Sequence, residues 1–293
     1  MKGSGHTHCA PDHSAIDAAD QEERLRDLPG PHAQNFTWMT AHGVVAADPE
    51  VTGFLHMFGV ETYAKQPSGV SPHVLAYLPD GELADGSTNP FGYFKLDVLA
   101  ASEAIRKAGG LPVLAHPLRY AIPDAEVQAM DERVWGIEAL SGSSNVEDNL
   151  EFIDAWLSSG KYACLTAGGD IHDEDWSLTR GYQVVAVDSA TPTRKEVFEA
   201  VAVCNFFACN TSNTKATPVD PPSLRVTKGA IEVTVATEVT LRFIGGEGAV
   251  LAETTGKSAS YKPTGAEQYV RVEAVSAGGL ARCYSQPLWL VAR

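Results

Sequence analysis

Nine histidines occupy this 293-residue chain, and seven of them fall in short, spaced pieces: His6-Thr7-His8, His13, His42, His73, His116 and Asp170-Ile171-His172. Each piece lies at or near the end of an apolar, strand-like run, in company with Glu61 and Asp170. Imidazole and carboxylate groups are the usual ligands of zinc, manganese and iron. So many exceed the needs of one four-coordinate ion. They point to a cluster of two or three divalent ions, whose identity availability would decide. In His6-Thr7-His8 the alternation of an extended strand puts both imidazoles on one side.

The elements that must position these residues alternate between strand and helix. Strands are expected to end near His8, Thr40, Glu61, Leu78, Ala115, Leu140, Ala167 and Val187. Helical patterns lie at 96–108, stopped by Gly109-Gly110, at 149–157 and at 193–203. Repeated β-then-α over about 210 residues implies a parallel sheet, open or closed as a barrel. In such sheets ligands gather beyond the carboxyl ends of the strands. His8, His42, Glu61, His116, Asp170 and His172 are therefore expected to converge. The proline-rich stretch Lys215–Ser223 marks a linker. Beyond it the period switches to two, at 231–235, 239–243 and 269–273, and predicts a small antiparallel sandwich.

The ordered series Gly5-His6-Thr7-His8 with His13, Met39-Thr40-Ala41-His42, Gly59-Val60-Glu61, Pro72-His73-Val74-Leu75, Leu114-Ala115-His116-Pro117 and Gly168-Gly169-Asp170-Ile171-His172 resembles the polymerase and histidinol phosphatase (PHP) family. The resemblance covers most of residues 1–213. It implies an α/β fold, a distorted (β/α)7 barrel over 1–213, then a linker at 214–222 and an all-β sandwich at 223–293. The tail Gly278–Trp289 resembles the sandwich appended to PHP-like proteins, among them carbamate-hydrolysing enzymes. The resemblance implies that His6, His8, Glu61 and Asp170 hold one metal. Glu61 would bridge to a second metal bound by His73 and His116, and a third would take His13, His42 and His172. Where the family often has Thr-Asp-His this chain has Thr40-Ala41-His42, and Ser4 stands where an acid is common. Asp12-His13-Ser14 replaces a Ser-Asp-Gly sequence, so either Asp12 or His13 could bind, with His13 favoured by spacing. The activity implied is metal-dependent hydrolysis, first of a small phosphomonoester or phosphodiester, otherwise of a carbamate, ester or amide. A metal-keeping module without activity is the reading from another class.

Arg119, three residues after His116, would sit at the site's mouth, where a guanidinium can clamp a phosphate or a developing oxyanion. A salt bridge to Asp124 or Glu126 is its structural alternative. Arg180 is a second catalytic candidate on the same rim. Asp12 or His13 could protonate the leaving group. A cationic rim of Arg119, Arg180 and Lys65 would favour phosphate, and an apolar rim a carbonyl substrate. His32, in a Pro-Gly-Pro-His turn, is expected to be solvated, and His56 to pack in a strand or face the site. Trp38 and Trp176 read as packing residues, and Gly109-Gly110 and Gly245-Gly246 as turns. The five cysteines form no CxxC pair and read as buried free thiols, with Cys9 beside His8 set apart.

A net charge of −15 argues against nucleic acid or an anionic membrane as partner. A cation cluster would still admit a small anionic substrate. No run approaches a membrane helix, and the start of the chain holds no apolar signal region, so a cytoplasmic location is expected. Nothing in the pattern fixes an oligomeric state.

Overall fold

Runs rich in β-branched and aromatic residues form strands such as Phe36–Met39 and Tyr269–Val275, and the helices Ala18–Arg26, Val98–Lys107 and Arg194–Ala202 each start at a side-chain cap. In chain order these are β1 (Lys2–Thr7), α1 (Ala18–Arg26), β2 (Phe36–Met39), β3 (Leu55–Tyr63), β4 (His73–Tyr77), α2 (Val98–Lys107), β5 (Leu111–Leu114), α3 (Asp124–Ala129), β6 (Gly136–Ser141), α4 (Val146–Ser158), β7 (Cys164–Gly168), β8 (Tyr182–Val185), α5 (Arg194–Ala202) and β9 (Phe206–Thr211). The C-terminal strands follow: β10 (Ser223–Thr227), β11 (Ala230–Ile244), β12 (Val250–Tyr261), β13 (Tyr269–Val275), β14 (Ala281–Tyr284) and β15 (Leu288–Trp289). This computed structural model describes residues 1–10, 14–83, 90–143, 146–173, 177–227 and 229–290. Asp12, His13 and Trp176 thus lie outside the described residues.

The result is a mixed α/β fold built on a 15-stranded sheet, ordered β10-β11-β13-β14-β9-β8-β1-β2-β3-β4-β5-β6-β7, with β12 on β11 and β15 on β13. The expected β-then-α repeat holds only in part. β1, β2 and β3 are parallel, as are β5, β6 and β7. However, β4 runs antiparallel to both neighbours and β8 antiparallel to β1. No helix separates β2 from β3 or β3 from β4. The short link at 64–72 turns the chain back into an antiparallel β4, whereas the longer helix-free stretch at 40–54 still delivers β3 parallel to β2. The two ends of the β1-to-β7 run meet nonetheless. Residues just past β7 return to β1 through Ile171 N–H to the His6 carbonyl (3.3 Å) and His8 N–H to the Ile171 carbonyl (2.8 Å).

Inside this curl, Trp38 stacks on Tyr77 at 4.3 Å, as a packing residue should, within a buried cluster that includes Phe36, Met57, Leu75 and Val113. A second apolar cluster lies against the helices α2 and α4 and holds Val98, Ile105, Ile153, Trp156 and Leu157. Thr193 and Glu196 form a reciprocal capping box at the start of α5. Asp97 caps α2, which ends before Gly109 at φ +77°. Gly168 has no room for a side chain: a Cβ there would stand 2.3 Å from that of His6 and 2.9 Å from Glu138 Oε1.

The segments 231–235 and 239–243 form one continuous strand, β11, because its register merely shifts between Thr234 and Val239 on β12. The C-terminal strands join the same sheet, since β14 pairs with β9 at Cys283↔Cys209 and Tyr284↔Ala208. The reading of the cysteines as free thiols is overturned for four of the five. Cys164–Cys204 and Cys209–Cys283 are disulfides, the second between directly opposed residues of β9 and β14. Spacing hid both pairs, whose partners are 40 and 74 residues apart. Cys9, outside both pairs, is buried. Arg271 of β13 is buried against α4, its guanidinium on both Asp154 oxygens at 2.9 and 2.7 Å and on Glu273. Among the described residues, no helix is long and apolar enough to cross a membrane.

Candidate metal centre

Eight of the nine expected ligands are described, and all eight meet at one end of the sheet. His6 is in β1 and His8 just beyond it. His42 follows β2 and bridges to Glu61 in β3, whose N–H reaches the Ala41 carbonyl at 3.2 Å. His116 follows β5, and Asp170 and His172 follow β7. His73 arrives differently: it opens β4, and because β4 is antiparallel that start lies opposite Tyr63, at the end of β3.

Three groups emerge whose donor atoms lie within 4.8 Å of one another: His6, Glu61, His116 and Asp170; His42, Glu61 and His73; and His8, His42 and His172. The resemblance paired His8 with His6 and His116 with His73. The distances accommodate both partitions, because His8 Nε2 is 3.2 Å from both Glu61 Oε2 and Asp170 Oδ1, and His116 Nε2 is 3.2 Å from Glu61 Oε1. Glu61 is the shared member, with His42 Nε2 at 2.8 Å and His73 Nδ1 at 2.5 Å.

The donor set fits divalent cations. His6 Nε2 and His8 Nε2 stand 3.0 Å apart, with acceptor oxygens of Glu61 and Asp170 within 3.4 Å of His6. Nδ1 of buried His116 has no hydrogen-bond partner, while its Nε2 faces Glu61 Oε1, and an orphaned buried ring nitrogen is costly unless something else satisfies it. Burial disfavours a charged His6, yet the fields of Asp170, Glu61 and Glu138 outweigh it and hold its pKa well above the usual histidine value. Burial also opposes charge on Glu61 and Asp170. The surrounding histidines, His6 first, prevail and hold both carboxyls well below their ordinary range. Cations would supply the same positive charge.

Several supporting residues carried no signal in the sequence. Glu138 of β6 is buried, with Oε1 3.1 Å from His6 Nδ1 and Oε2 accepting the His116 N–H at 2.9 Å. If Nδ1 of His6 donates, its Nε2 lone pair is left for the cluster. Gln21 and Arg24 of α1 donate to the carbonyl of His172, and Gln21 also to that of His8 at 3.0 Å. Ser4 accepts from Gly169 N–H at 3.2 Å, so a neutral hydroxyl serves where an acid was expected. Tyr120 bonds His73 Nε2 through its hydroxyl, and Tyr63 packs on His73 at 3.9 Å between ring centres.

Arg119 reaches Asp170, with Nη1 3.5 Å from Oδ2, while remaining half exposed. It does not take Glu126, which instead accepts from Ser68 at 2.7 and 3.0 Å. Arg180 and Lys65 are exposed. His32 is buried at 3% exposure, against the expectation of a solvated turn, because its ring meets the backbone of Thr214 and Ala216 and Lys2 reaches the carbonyl of Pro31. His56 faces away from the site and is buried against Glu22 of α1, Nδ1 to Oε1 at 2.6 Å.

No family model and no curated protein sequence matches this chain. Several solved structures are similar to it, among them the following two. An amidohydrolase from Chromobacterium violaceum, with bound sulfate and no metal, superposes with a TM-score of 0.48 at 14% identity, covering 70% of this chain and 96% of its own. A metal-dependent phosphoesterase candidate from Bifidobacterium adolescentis superposes with a TM-score of 0.45 at 16% identity, covering 58% and 87%. At that level of superposition neither likeness bears on activity.

Proposed function

We propose that this protein is a metal-dependent hydrolase acting on a small phosphate ester. The observation that carries the reading is the convergence of His6, His8, His42, Glu61, His73, His116, Asp170 and His172 into three contiguous donor groups that share Glu61 and His42. His13 and Asp12 are the remaining candidates for that cluster. In this reading the curl of β1 to β7 is a distorted barrel with the cluster at its mouth, and residues 223–293 are an appended β unit. Divalent ions held there would acidify a coordinated water and polarise the bond to be broken.

The chain's own residues do the rest. Glu138 orients His6, and Gln21 and Arg24 hold the loop that carries His172. Arg119, close to Asp170 and half exposed, is placed to meet negative charge on a phosphoryl oxygen. A second reading, a carbamate, ester or amide hydrolase, is favoured by a different observation. Tyr63, Tyr93, Phe94 and Tyr120 form an aromatic wall on the His73 side. The two disulfides suit an oxidising compartment better than the cytoplasm.

The test is elemental mass spectrometry of protein purified without added metal, beside a His8→Ala, Asp170→Ala double variant, followed by a paired screen of phosphate esters and carbamates. Several equivalents of transition metal, lost in the variant, with turnover of the phosphate esters would support the first reading. No more than trace metal, unchanged by the double substitution and not restored by added zinc, manganese or iron, would reject both.

A further inference from the structure

Resting on the hydrolase reading, we propose that Phe94, Tyr93 and Tyr63 form a subsite for a planar aromatic group on the substrate. The argument begins at His73. Tyr63, the last residue of β3, lies against the His73 ring at 3.9 Å and the His42 ring at 5.1 Å. On the other side of Tyr63 stand Phe94 at 4.7 Å and Tyr93 at 4.6 Å, and those two meet edge-on at 4.9 Å. A run of rings therefore leads outward from the candidate metal ligands, and its outer member, Phe94, is 46% exposed. A large exposed aromatic beside a polar cluster is an unusual use of apolar surface.

The backbone holds this ring in place at a cost. Phe94 has φ +56°, in the left-handed region that bulky residues avoid. It is fixed there by its N–H on the Tyr63 carbonyl at 2.7 Å, and the same turn is tied again by Lys65 N–H to the Leu96 carbonyl at 2.8 Å. Strain of this kind persists where the surroundings over-determine it, and it gathers at binding sites. Here it keeps the ring half exposed, two ring contacts from His73. An aromatic group would continue the stack, whereas a saturated ring of equal size would gain burial only. Arg119, at the same cluster, would take the anionic end of the same molecule.

The test uses matched pairs with leaving alcohols of similar acidity: benzyl against cyclohexylmethyl phosphate, and the corresponding acetates. Hydrolysis adds water across each ester to give the alcohol and phosphate or acetate. Wild-type protein is expected to prefer the benzyl member by about fivefold in kcat/KM, through KM, from the strength of one ring pair. Phe94→Ala should bring that ratio close to one, and Phe94→Tyr should restore it. A second readout needs no turnover: line broadening of benzylphosphonate and cyclohexylmethylphosphonate by NMR on wild-type and Phe94→Ala protein. Equal handling of both members, or a ratio that survives Phe94→Ala, overturns the subsite. Phe94-dependent binding of benzylphosphonate with no turnover of any ester would keep the subsite and reject the hydrolase.

Discussion

Glu138 Oε2 accepts the main-chain N–H of His116 at 2.9 Å. His116 sits at φ +25°, a conformation that costs on the order of 1–3 kcal/mol and must be held by its surroundings. The other oxygen of Glu138 addresses His6, so one carboxylate fixes two candidate ligands on strands far apart in sequence.

Glu138→Gln is therefore expected to weaken metal binding by about 10- to 100-fold, the usual effect of losing a residue that orients ligands. Competition against a chelator, read by elemental analysis, measures it. Affinity within twofold of wild type would remove Glu138 from the support of the centre.

Arg119 should matter to turnover and not to metal content. Arg119→Ala is expected to lower kcat by about 100-fold, the scale seen when one charge-stabilising donor is lost. Arg119→Lys should recover only part of this, because an ammonium cannot reproduce the two-pronged guanidinium contact. Steady-state kinetics on a phosphate ester, with metal content checked in parallel, decides. A loss of metal that tracks the loss of kcat would assign Arg119 to holding Asp170 instead.

Arg271 is buried between Asp154 and Glu273. Removing one partner from a buried charge group leaves the others uncompensated, so Arg271→Met is expected to destabilise the fold by about 3–5 kcal/mol. Replacing all three residues by apolar ones of similar volume should recover most of that. Urea denaturation of the two variants gives the comparison, and a single variant as stable as wild type would contradict it.

Burial pushes the Lys2 ammonium down to about 8, where it lies over the Tyr182 ring at 3.9 Å. The folded chain then binds fewer protons at this site than the unfolded chain between about pH 8 and pH 10.5, so stability rises with pH across that window. Below it both states carry the proton and the cost of burying the charge is fully present. Lys2→Met should flatten the rise, as read from urea midpoints at several alkaline pH values. An unchanged slope would locate the effect elsewhere.

Much of the site was legible because its residues are of types that seldom recur at strand ends for packing alone, as with His6, His8, His116 and Asp170. His73 was legible by its motif but not by its position, since the strand-end rule presumes parallel strands and β4 runs the other way. Glu138 looked like any strand residue; only the pairing of β6 with β7 brings it beneath His6. Phe94 was invisible for another reason, because an aromatic residue in a loop has no pattern until the turn around it is known. The cysteine pairs and the burial of His32 depend on contacts across the whole sheet, which local composition does not encode. The regular barrel repeat failed where the short link between β3 and β4 turns the chain back.

The pairing of β14 with β9 has one more consequence. Without the C-terminal strands, β9 would end the sheet with a bare row of amide and carbonyl groups, open to any passing chain. β14 thus acts as an edge guard, and a chain cut at 213 would lose protection against self-association before it lost any of the candidate metal ligands.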